Sequence, residues 1–397
     1  MFDTARKYLW VIKAISKLRL STQKKVMTRF LTAHKKYMPE KTKADCDSIL
    51  KCALCPNMCR FDCPVLQVVK SETVSPSGKA RIAYLMEMGR FMSDDAVALM
   101  YTCAGCSACQ MWCPFDFSVE DLLIGVRKDI IERKLVPPSL VQFKENLVKN
   151  HTIYENGNTS LGLVPKEADV LYFSGCTILN RQKEIADATV RILEKAGIKY
   201  SVLPEEWCCG APLSILGFDS DFKVLAGYNA HQMNQYKTVV CSCPTCAHMF
   251  KDAYKKMGFP LKPEILHTSQ FILQLVEEGK ITLKECNKEY VYHDPCVLSR
   301  KLDICEEPRT VLEYIPGITL KEAQFSKKET RCCGMGGMLG FTNPEIAVQI
   351  TRKRSGELKE VSNSIVTACP VCKLAFERCN ADNVLDISEV VSEFMEE

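Results

Sequence analysis

Apolar positions in the C-terminal half of this chain fall into a pattern that occurs twice. Val170-Leu171-Tyr172-Phe173 and Tyr290-Val291-Tyr292-His293 are short runs of β-branched and aromatic residues that predict strands. Helical spacing follows the first, with Ile185, Val190, Ile192 and Leu193, and a second apolar run then appears in each copy, Val239-Val240 or Ile365-Val366. Strands alternating with helices predict small parallel α/β units, whose ligands gather at strand carboxyl ends or at the switch point between strands. Upstream, residues 46–150 read as mainly helical. His151 to Lys166, with Glu155, Asn156, Gly157, Asn158, Thr159 and Ser160, reads as a polar, turn-rich linker. At the N-terminus Tyr8, Val11, Ile12, Ile15 and Leu18 recur at helical spacing, as do Val26, Phe30 and Leu31, with lysines and arginines between them.

Cysteine placement turns the repeat into a chemical argument. The chain has 23 cysteines. In the first unit Cys176 is followed after 31 residues by Cys208-Cys209-Gly210, and after 33 more by Cys243-Pro244-Thr245-Cys246. In the second, Cys296 is followed after 35 residues by Cys332-Cys333-Gly334, and after 35 more by Cys369-Pro370-Val371-Cys372. Corresponding cysteines lie 120, 124 and 126 residues apart, so the C-terminal half is duplicated. Each lone cysteine follows a predicted strand and each C-x2-C follows the second apolar run. Three loops therefore converge on one metal site per repeat.

Two more runs precede the repeats. Cys52, Cys55, Cys59 and Cys63 read C-x2-C-x3-C-x3-C-P, and Cys103, Cys106, Cys109 and Cys113 read C-x2-C-x2-C-x3-C-P, the bacterial ferredoxin signature. Soft thiolates suit iron–sulfide cages, and in two-cluster ferredoxins the fourth cysteine of each run serves the other cage. That scheme assigns Cys52, Cys55, Cys59 and Cys113 to one cubane [4Fe-4S] cluster and Cys103, Cys106, Cys109 and Cys63 to a second. Pro64 and Pro114 push the crossing cysteines out of helical geometry, which turns each thiolate away from its own loop. The x3 spacing in the first run departs from the usual x2 and requires a one-residue bulge. Zinc is the alternative for paired C-x2-C units, but it has no need of a CP-terminated run. Disulfides fit poorly with clustered spacing and no signal-peptide pattern, which together predict a reducing, cytoplasmic setting.

The motif C-x(31–39)-CCG-x(33–36)-C-P-x-C, present twice behind a two-cluster ferredoxin segment, resembles the cysteine-rich CCG-domain family. That family includes the catalytic subunit of heterodisulfide reductase and the iron–sulfur subunits of anaerobic glycerol-3-phosphate, glycolate and lactate dehydrogenases. His293-Asp294-Pro295-Cys296 and Cys332-Cys333-Gly334-Met335-Gly336-Gly337 also resemble family patterns, and the resemblance covers residues 46–397. It implies two noncubane [4Fe-4S] clusters, one held by Cys176, Cys208, Cys209, Cys243 and Cys246 and the other by Cys296, Cys332, Cys333, Cys369 and Cys372. Adjacent thiolates cannot both reach one vertex of a regular cubane without strain, so a CC pair favours an opened cluster that exposes an iron to an external sulfur. Gly210, Gly334, Gly336 and Gly337, lacking Cβ, are expected to let the backbone approach the inorganic sulfides. Zinc or an ordinary cubane remains the alternative, with more weight in repeat 1, where spacings are shorter and Cys241 is an extra thiol.

The resemblance implies an oxidoreductase subunit that receives electrons from a redox partner, a flavoprotein, an iron–sulfur protein or a membrane cytochrome b, and passes them through the cubanes to the C-terminal clusters. There a substrate disulfide is cleaved to two thiols. The rival is an electron relay between a flavin-dependent dehydrogenase and quinone or a membrane cytochrome. Without a glycine-rich nucleotide fingerprint after any predicted strand, flavin and nicotinamide are assigned to a partner. Cys46, Cys241, Cys286, Cys305 and Cys379 read as small buried residues. His293 reads first as a packed or hydrogen-bonded residue and second as a proton donor. Arg300, Lys301, Arg309 and Arg331 read first as a solvated face and second as a substrate anion site or a balance for cluster charge.

Charge is uneven. Residues 1–43 carry 12 Lys and Arg against Asp3 and Glu40, within a chain whose formal net charge is only +4. Such an arm can lie peripherally on an anionic membrane surface or dock on an acidic partner; the plainer reading packs it over the ferredoxin segment. Nucleic acid is excluded as a partner, because no binding module accompanies the charge. No apolar run is long enough to span a membrane. The expected fold class is α+β: a basic helical arm (1–45), a helical two-cluster ferredoxin-like domain (46–150) and two α/β CCG repeats (165–285 and 286–397).

Overall fold

The computed structural model describes residues 15–37, 42–379, 381 and 383–396. The segment from 42 to 150 is helical, and its helices begin where short side chains satisfy the orphan N–H groups of a first turn. Ser75, Ser93 and Ser118 accept from the backbone N–H groups of Gly78, Ala96 and Asp121, opening helices Pro76–Glu87, Asp94–Met100 and Val119–Glu132. Cys63 is extended (φ −74°, ψ 111°) and Pro64 opens helix Pro64–Val69, as a residue before proline should be.

Each C-terminal repeat is a four-stranded, all-parallel sheet. Strands β1 (Val170–Phe173), β2 (Tyr200–Ser201), β3 (Thr238–Cys241) and β4 (Glu264–His267) lie in the order β2-β1-β3-β4. Strands β5 (Glu289–His293), β6 (Thr319–Glu322), β7 (Ile365–Thr367) and β8 (Val384–Asp386) lie in the order β6-β5-β7-β8. Register pairs Leu171 with Val239 and Val239 with Ile265 in the first sheet, and Tyr292 with Val366 and Val366 with Leu385 in the second. The chain leaves β1 in one direction and β3 in the other, so the switch point lies between them, and the same holds for β5 and β7. A crevice opens there at the carboxyl edge. Cys176 and Cys243 follow β1 and β3, and Cys296 and Cys369 follow β5 and β7.

The expected units are welded together by shared cores. One core runs from Ile49, Met86 and Leu123 through Leu216 and Phe222 to Phe173 of the first sheet. A second joins the two repeats, with Ile185 and Ile192 packed among Tyr292, Ile387 and Val391. A third joins Val65 and Leu66 to Leu339 and Ile350. The linker is strapped to repeat 1, where Glu206 N donates to Thr159 O and Cys208 N to His151 O.

Where its side chains are described, between 15 and 28, the basic arm departs from the packed reading. Helix Leu20–Tyr37 is present, but none of the side chains described between 15 and 28 is buried, and Leu20 is 78% exposed. That stretch intersperses Ile15, Leu18, Leu20, Val26 and Met27 with nine polar residues, and none of its apolar side chains is buried. Tyr8, Val11 and Ile12 lie outside the described residues, and so do the side chains of Phe30 and Leu31. Among the described residues no helix is long and apolar enough to cross a membrane.

Arg127 fastens the helical segment to repeat 1. Fully buried, it donates from Nε to Met100 O at 2.8 Å and from Nη1 to Ile215 O at 2.7 Å, with its guanidinium over the Tyr101 ring. Arg127→Leu strands two buried carbonyls and is expected to lower stability by about 2–4 kcal/mol. A denaturation midpoint unchanged from the parent protein would contradict the bridging role.

Candidate metal centres

In repeat 1 the five cysteines form one contiguous series. Cys176 is within hydrogen-bond reach of Cys208, Cys208 of Cys209, Cys209 of Cys246, and Cys246 of Cys243. Neighbouring Cys208, then Cys246, pulls the Cys209 thiol down to about 6, because an S–H beside a thiolate stabilises it. Repeat 2 reproduces the series: Cys296 to Cys332, Cys332 to Cys333, Cys333 to Cys372, whose Sγ atoms are 3.2 Å apart, and Cys372 to Cys369. The surrounding frame is duplicated too. Phe173 meets Phe250 edge to face at 4.9 Å, and His293 meets Phe376 in the same way at 4.9 Å. Five buried or nearly buried thiols exceed the four ligands of tetrahedral zinc, whereas iron–sulfur cages are held by thiolates throughout. The donor sets fit the second.

The frames differ in what surrounds the thiols. Where repeat 1 has Phe173, repeat 2 has His293, whose ring nitrogen lies within 4.8 Å of the Cys333 and Cys372 sulfurs. His293 is fully buried; its Nδ1 accepts from Arg354 Nε at 3.4 Å and its Nε2 has no hydrogen-bond partner. Burial lowers its proton affinity, so it is held neutral. It is thus packed, as first expected, and also part of the site.

A carboxylate bridges two loops in each repeat, but from opposite sides. In repeat 1 Glu206, two residues before the CCG, accepts from Ser174 N at 2.9 Å and Gly175 N at 2.6 Å. Burial pushes it up to about 7. In repeat 2 the acid is Asp294, at the position of Ser174, and Thr330 takes the place of Glu206. Arg309 grips Asp294 with two 2.8 Å bonds, and Thr330 Oγ1 donates to Asp294 O at 3.0 Å. Sequence reasoning missed Glu206. Comparing the two repeats two residues ahead of each CCG is the signal that exposes it.

The N-terminal cysteines gather in two groups. Cys52, Cys55, Cys59 and Cys113 line one cavity beside Trp112 and Phe115, and Cys63, Cys103 and Cys106 line a second; Cys109 borders both. The second group abuts repeat 2: Cys332 stands beside Cys106 and pulls its thiol down to about 6. Repeat 2 in turn meets repeat 1, with Cys369 in reach of Cys243. Thiol contacts therefore run unbroken from Cys106 through repeat 2 to Cys176.

One sequence expectation fails here. The basic residues near the second site are not a solvated face. Arg300 donates from Nη1 to Cys106 O at 2.8 Å, Lys301 bonds Glu120 at 2.5 Å, Arg309 is 4% exposed, and Arg331 pairs with Glu357. They clamp the dicluster segment to repeat 2 and close its loops, because each finds a carboxylate or carbonyl in the interior. The glycines, too, serve protein packing. A Cβ on Gly334 would stand 2.6 Å from Ala347 O, and one on Gly210 would stand 2.5 Å from the Phe222 ring. A Cβ on Gly336 would stand 2.5 Å from Ala104 O, and one on Gly337 2.3 Å from Cys103 O. Backbone lies against backbone at the Cys106–Cys332 junction, which only glycine permits. Cys241, Cys286 and Cys305 are buried, as expected of small apolar residues, whereas Cys46 and Cys379 are partly exposed.

Comparison with known proteins agrees with this arrangement. The cysteine-rich domain CCG matches residues 170–251 and 290–377, and the 4Fe-4S dicluster domain matches residues 48–117. The chain is 33% identical to one subunit of the dihydromethanophenazine:CoB–CoM heterodisulfide reductase of Methanosarcina barkeri, over 77% of this chain and 79% of that protein. It is 25% identical to one subunit of the fumarate reductase (CoM/CoB) of Methanothermobacter marburgensis, over 80% and 65% respectively. With the EtfAB:quinone oxidoreductase of Syntrophomonas wolfei it shares 28% identity, over 75% of this chain and 46% of that one. A crystal structure of a hypothetical protein from Helicobacter pylori shares the fold, with TM-score 0.53 and 11% identity, covering 99% of this chain and 76% of that one.

The junction gives a direct expectation. Gly337 has φ +60° and no room for a side chain, so Gly337→Ala must prise the Cys103–Gly105 loop from repeat 2. Iron content should persist while reduction of the C-terminal sites, followed by rapid-freeze paramagnetic resonance, slows by an order of magnitude or more. Unaltered rates would show that the junction does not govern transfer.

Proposed function

Because this chain belongs to the family of iron–sulfur oxidoreductases in which a 4Fe-4S dicluster domain precedes paired CCG domains, we propose that it is a disulfide reductase-like subunit of a larger complex. Cys52, Cys55, Cys59 and Cys113 would hold one cubane, and Cys103, Cys106, Cys109 and Cys63 the other. The two five-cysteine sets would hold noncubane clusters. When bound, such clusters supply one-electron steps and an iron able to take up an external sulfur. The identical order of five thiols in both repeats favours the same kind of cluster in each over zinc in repeat 1.

The observation that carries this reading is the unbroken line of thiol contacts. Cys106 and Cys332 bring the dicluster segment against repeat 2, Cys369 and Cys243 bring repeat 2 against repeat 1, and Gly336, Gly337 and Arg300 hold the first contact closed. His293 offers a neutral ring beside Cys333, and Glu206 fixes the Cys176 loop through Ser174 and Gly175. A redox partner, either a flavoprotein, an iron–sulfur protein or a membrane cytochrome b, would supply electrons near Cys52 and Cys59, and the substrate disulfide would yield two thiols at the far end. Likeness to an EtfAB:quinone oxidoreductase keeps a second reading in play, a relay that delivers electrons to quinone. The setting is cytoplasmic in this reading, with the basic arm as the element able to touch a membrane surface or an acidic partner.

Cys332→Ala is expected to abolish disulfide reduction while the dicluster signals remain reducible by dithionite in electron paramagnetic resonance. Turnover equal to that of the unaltered protein would remove repeat 2 from the pathway.

A further inference from the structure

One peptide in each CCG turn is held at both ends. In repeat 1 the Cys209 carbonyl accepts from Tyr254 Oη at 3.1 Å, and the N–H of the same peptide, that of Gly210, reaches back to the Cys208 sulfur. In repeat 2 the Cys333 carbonyl accepts from Thr351 Oγ1 at 2.7 Å, and Gly334 N donates to Cys332 Sγ at 3.3 Å. The C=O and N–H of a trans peptide point in opposite directions, so a hydroxyl fixed behind the carbonyl also fixes the N–H in front of the sulfur. We propose that Tyr254 and Thr351 are positioning residues that set the reduction potentials of the repeat-1 and repeat-2 sites separately, each through the N–H···S bond of its own CCG peptide. This rests on the iron–sulfur reading above and gives two sites of equal ligand pattern independent controls.

A hydrogen bond donated to a ligand sulfur stabilises the negative charge that reduction adds to a thiolate-held cluster, and such bonds are among the factors that set cluster potential. Both glycines stand at positive φ, +80° at Gly210 and +97° at Gly334. A side chain would strain that turn, which brings the N–H round to the thiol two residues back. Tyr254 and Thr351 are both closed to solvent, so their hydroxyls act on the two carbonyls without competition from bulk water.

The two braces are built differently. Tyr254 is oriented by Asn229, whose Nδ2 donates to Tyr254 Oη at 3.0 Å and to Cys208 O at 3.1 Å. Asn229 is also fully buried, so an amide and a phenol form one chain onto the CC pair, and bonds in such chains strengthen one another. Tyr254 stands eight residues after Cys246, and the π-helical turn Met249–Ala253 between them shifts the phase of the helix that carries it. The matching helix of repeat 2, Pro370–Arg378, is regular. Its brace comes instead from helix Pro344–Lys359, where Thr351 divides one hydroxyl proton between Cys333 O and Ala347 O, the latter at 2.9 Å. Removal of the undivided phenol bond should therefore have the larger effect.

The test is a mediated redox titration of the full-length, anaerobically purified protein followed by paramagnetic resonance, with the two C-terminal signals assigned by their loss in Cys208→Ala and in Cys332→Ala. Tyr254→Phe keeps the ring and removes the hydroxyl. At a fixed ambient potential the reduced-to-oxidised ratio of its repeat-1 site should fall about three- to tenfold, as loss of one hydrogen bond implies, which is a shift of about 30–60 mV for a one-electron couple. Its repeat-2 site should not move. Thr351→Val should lower the repeat-2 site by a smaller factor and leave repeat 1 alone, whereas Thr351→Ser, which keeps the hydroxyl, should hold the parent value. Iron content should be unchanged in all three variants. Parent potentials in both Tyr254→Phe and Thr351→Val, loss of iron with either hydroxyl, or both sites shifting together overturn the positioning role while the iron–sulfur reading stands. An unaltered protein with no iron beyond that of the dicluster segment removes that reading itself.

Discussion

Crowded, buried thiols are the constraint on which this structure depends. Each repeat gathers five cysteine sulfurs, and burial, reinforced by the neighbouring Cys243 and Glu206, drives even the extra thiol Cys241 well above its ordinary ionisation range. Several thiolates cannot share such a space uncompensated; a bound cationic cluster is what makes the arrangement affordable. Metal binding would therefore contribute directly to stability. The strands deliver thiols to the carboxyl edges of β1 and β3 and of β5 and β7, and the CCG loops bring two more in each repeat.

Duplication supplied the frame, and divergence around it made the two halves unequal. Edge-to-face aromatic pairs, strand order and the sequence of thiol contacts are the same in both repeats. The exchanges lie just outside: Phe173 against His293, and Ser174 with Glu206 against Asp294 with Thr330. Both repeats line a large cavity between them, but only the repeat-1 cysteines border it. Shared cores linking all three units make relative motion of these parts costly, which suits transfer that depends on fixed distances.

Much of this was legible in the chain. Alternating apolar runs gave β1, β3, β5 and β7, since those strands are central and buried on both faces. Cysteine spacing located the thiols, and each CCG group proved to be flanked by the loops expected. The outer strands β2, β4, β6 and β8 escaped detection: β2 and β8 are only two and three residues long, β6 is largely exposed, and the apolar pair Ile265-Leu266 of β4, though buried, is too short a run to stand out. The roles of Arg300, Lys301 and Gly337 were also hidden. Arg300 acts on Cys106 and Lys301 on Glu120, across separations of 194 and 181 residues, and no local pattern encodes a contact of that range. The packing role of the glycines was hidden as well: backbone fills the Cβ space at Gly334, Gly336 and Gly337, and the Phe222 ring fills it at Gly210.

Everything proposed for the C-terminal half requires iron–sulfur clusters in both five-cysteine sets, and the most direct test is Mössbauer spectroscopy of the anaerobically purified, iron-57-enriched chain with parallel zinc analysis. The expected result is about sixteen irons per chain, as four [4Fe-4S] clusters require, no zinc, and a C-terminal spectral component distinct from that of the dicluster segment. Iron near eight per chain, with zinc filling the two repeats, would contradict it.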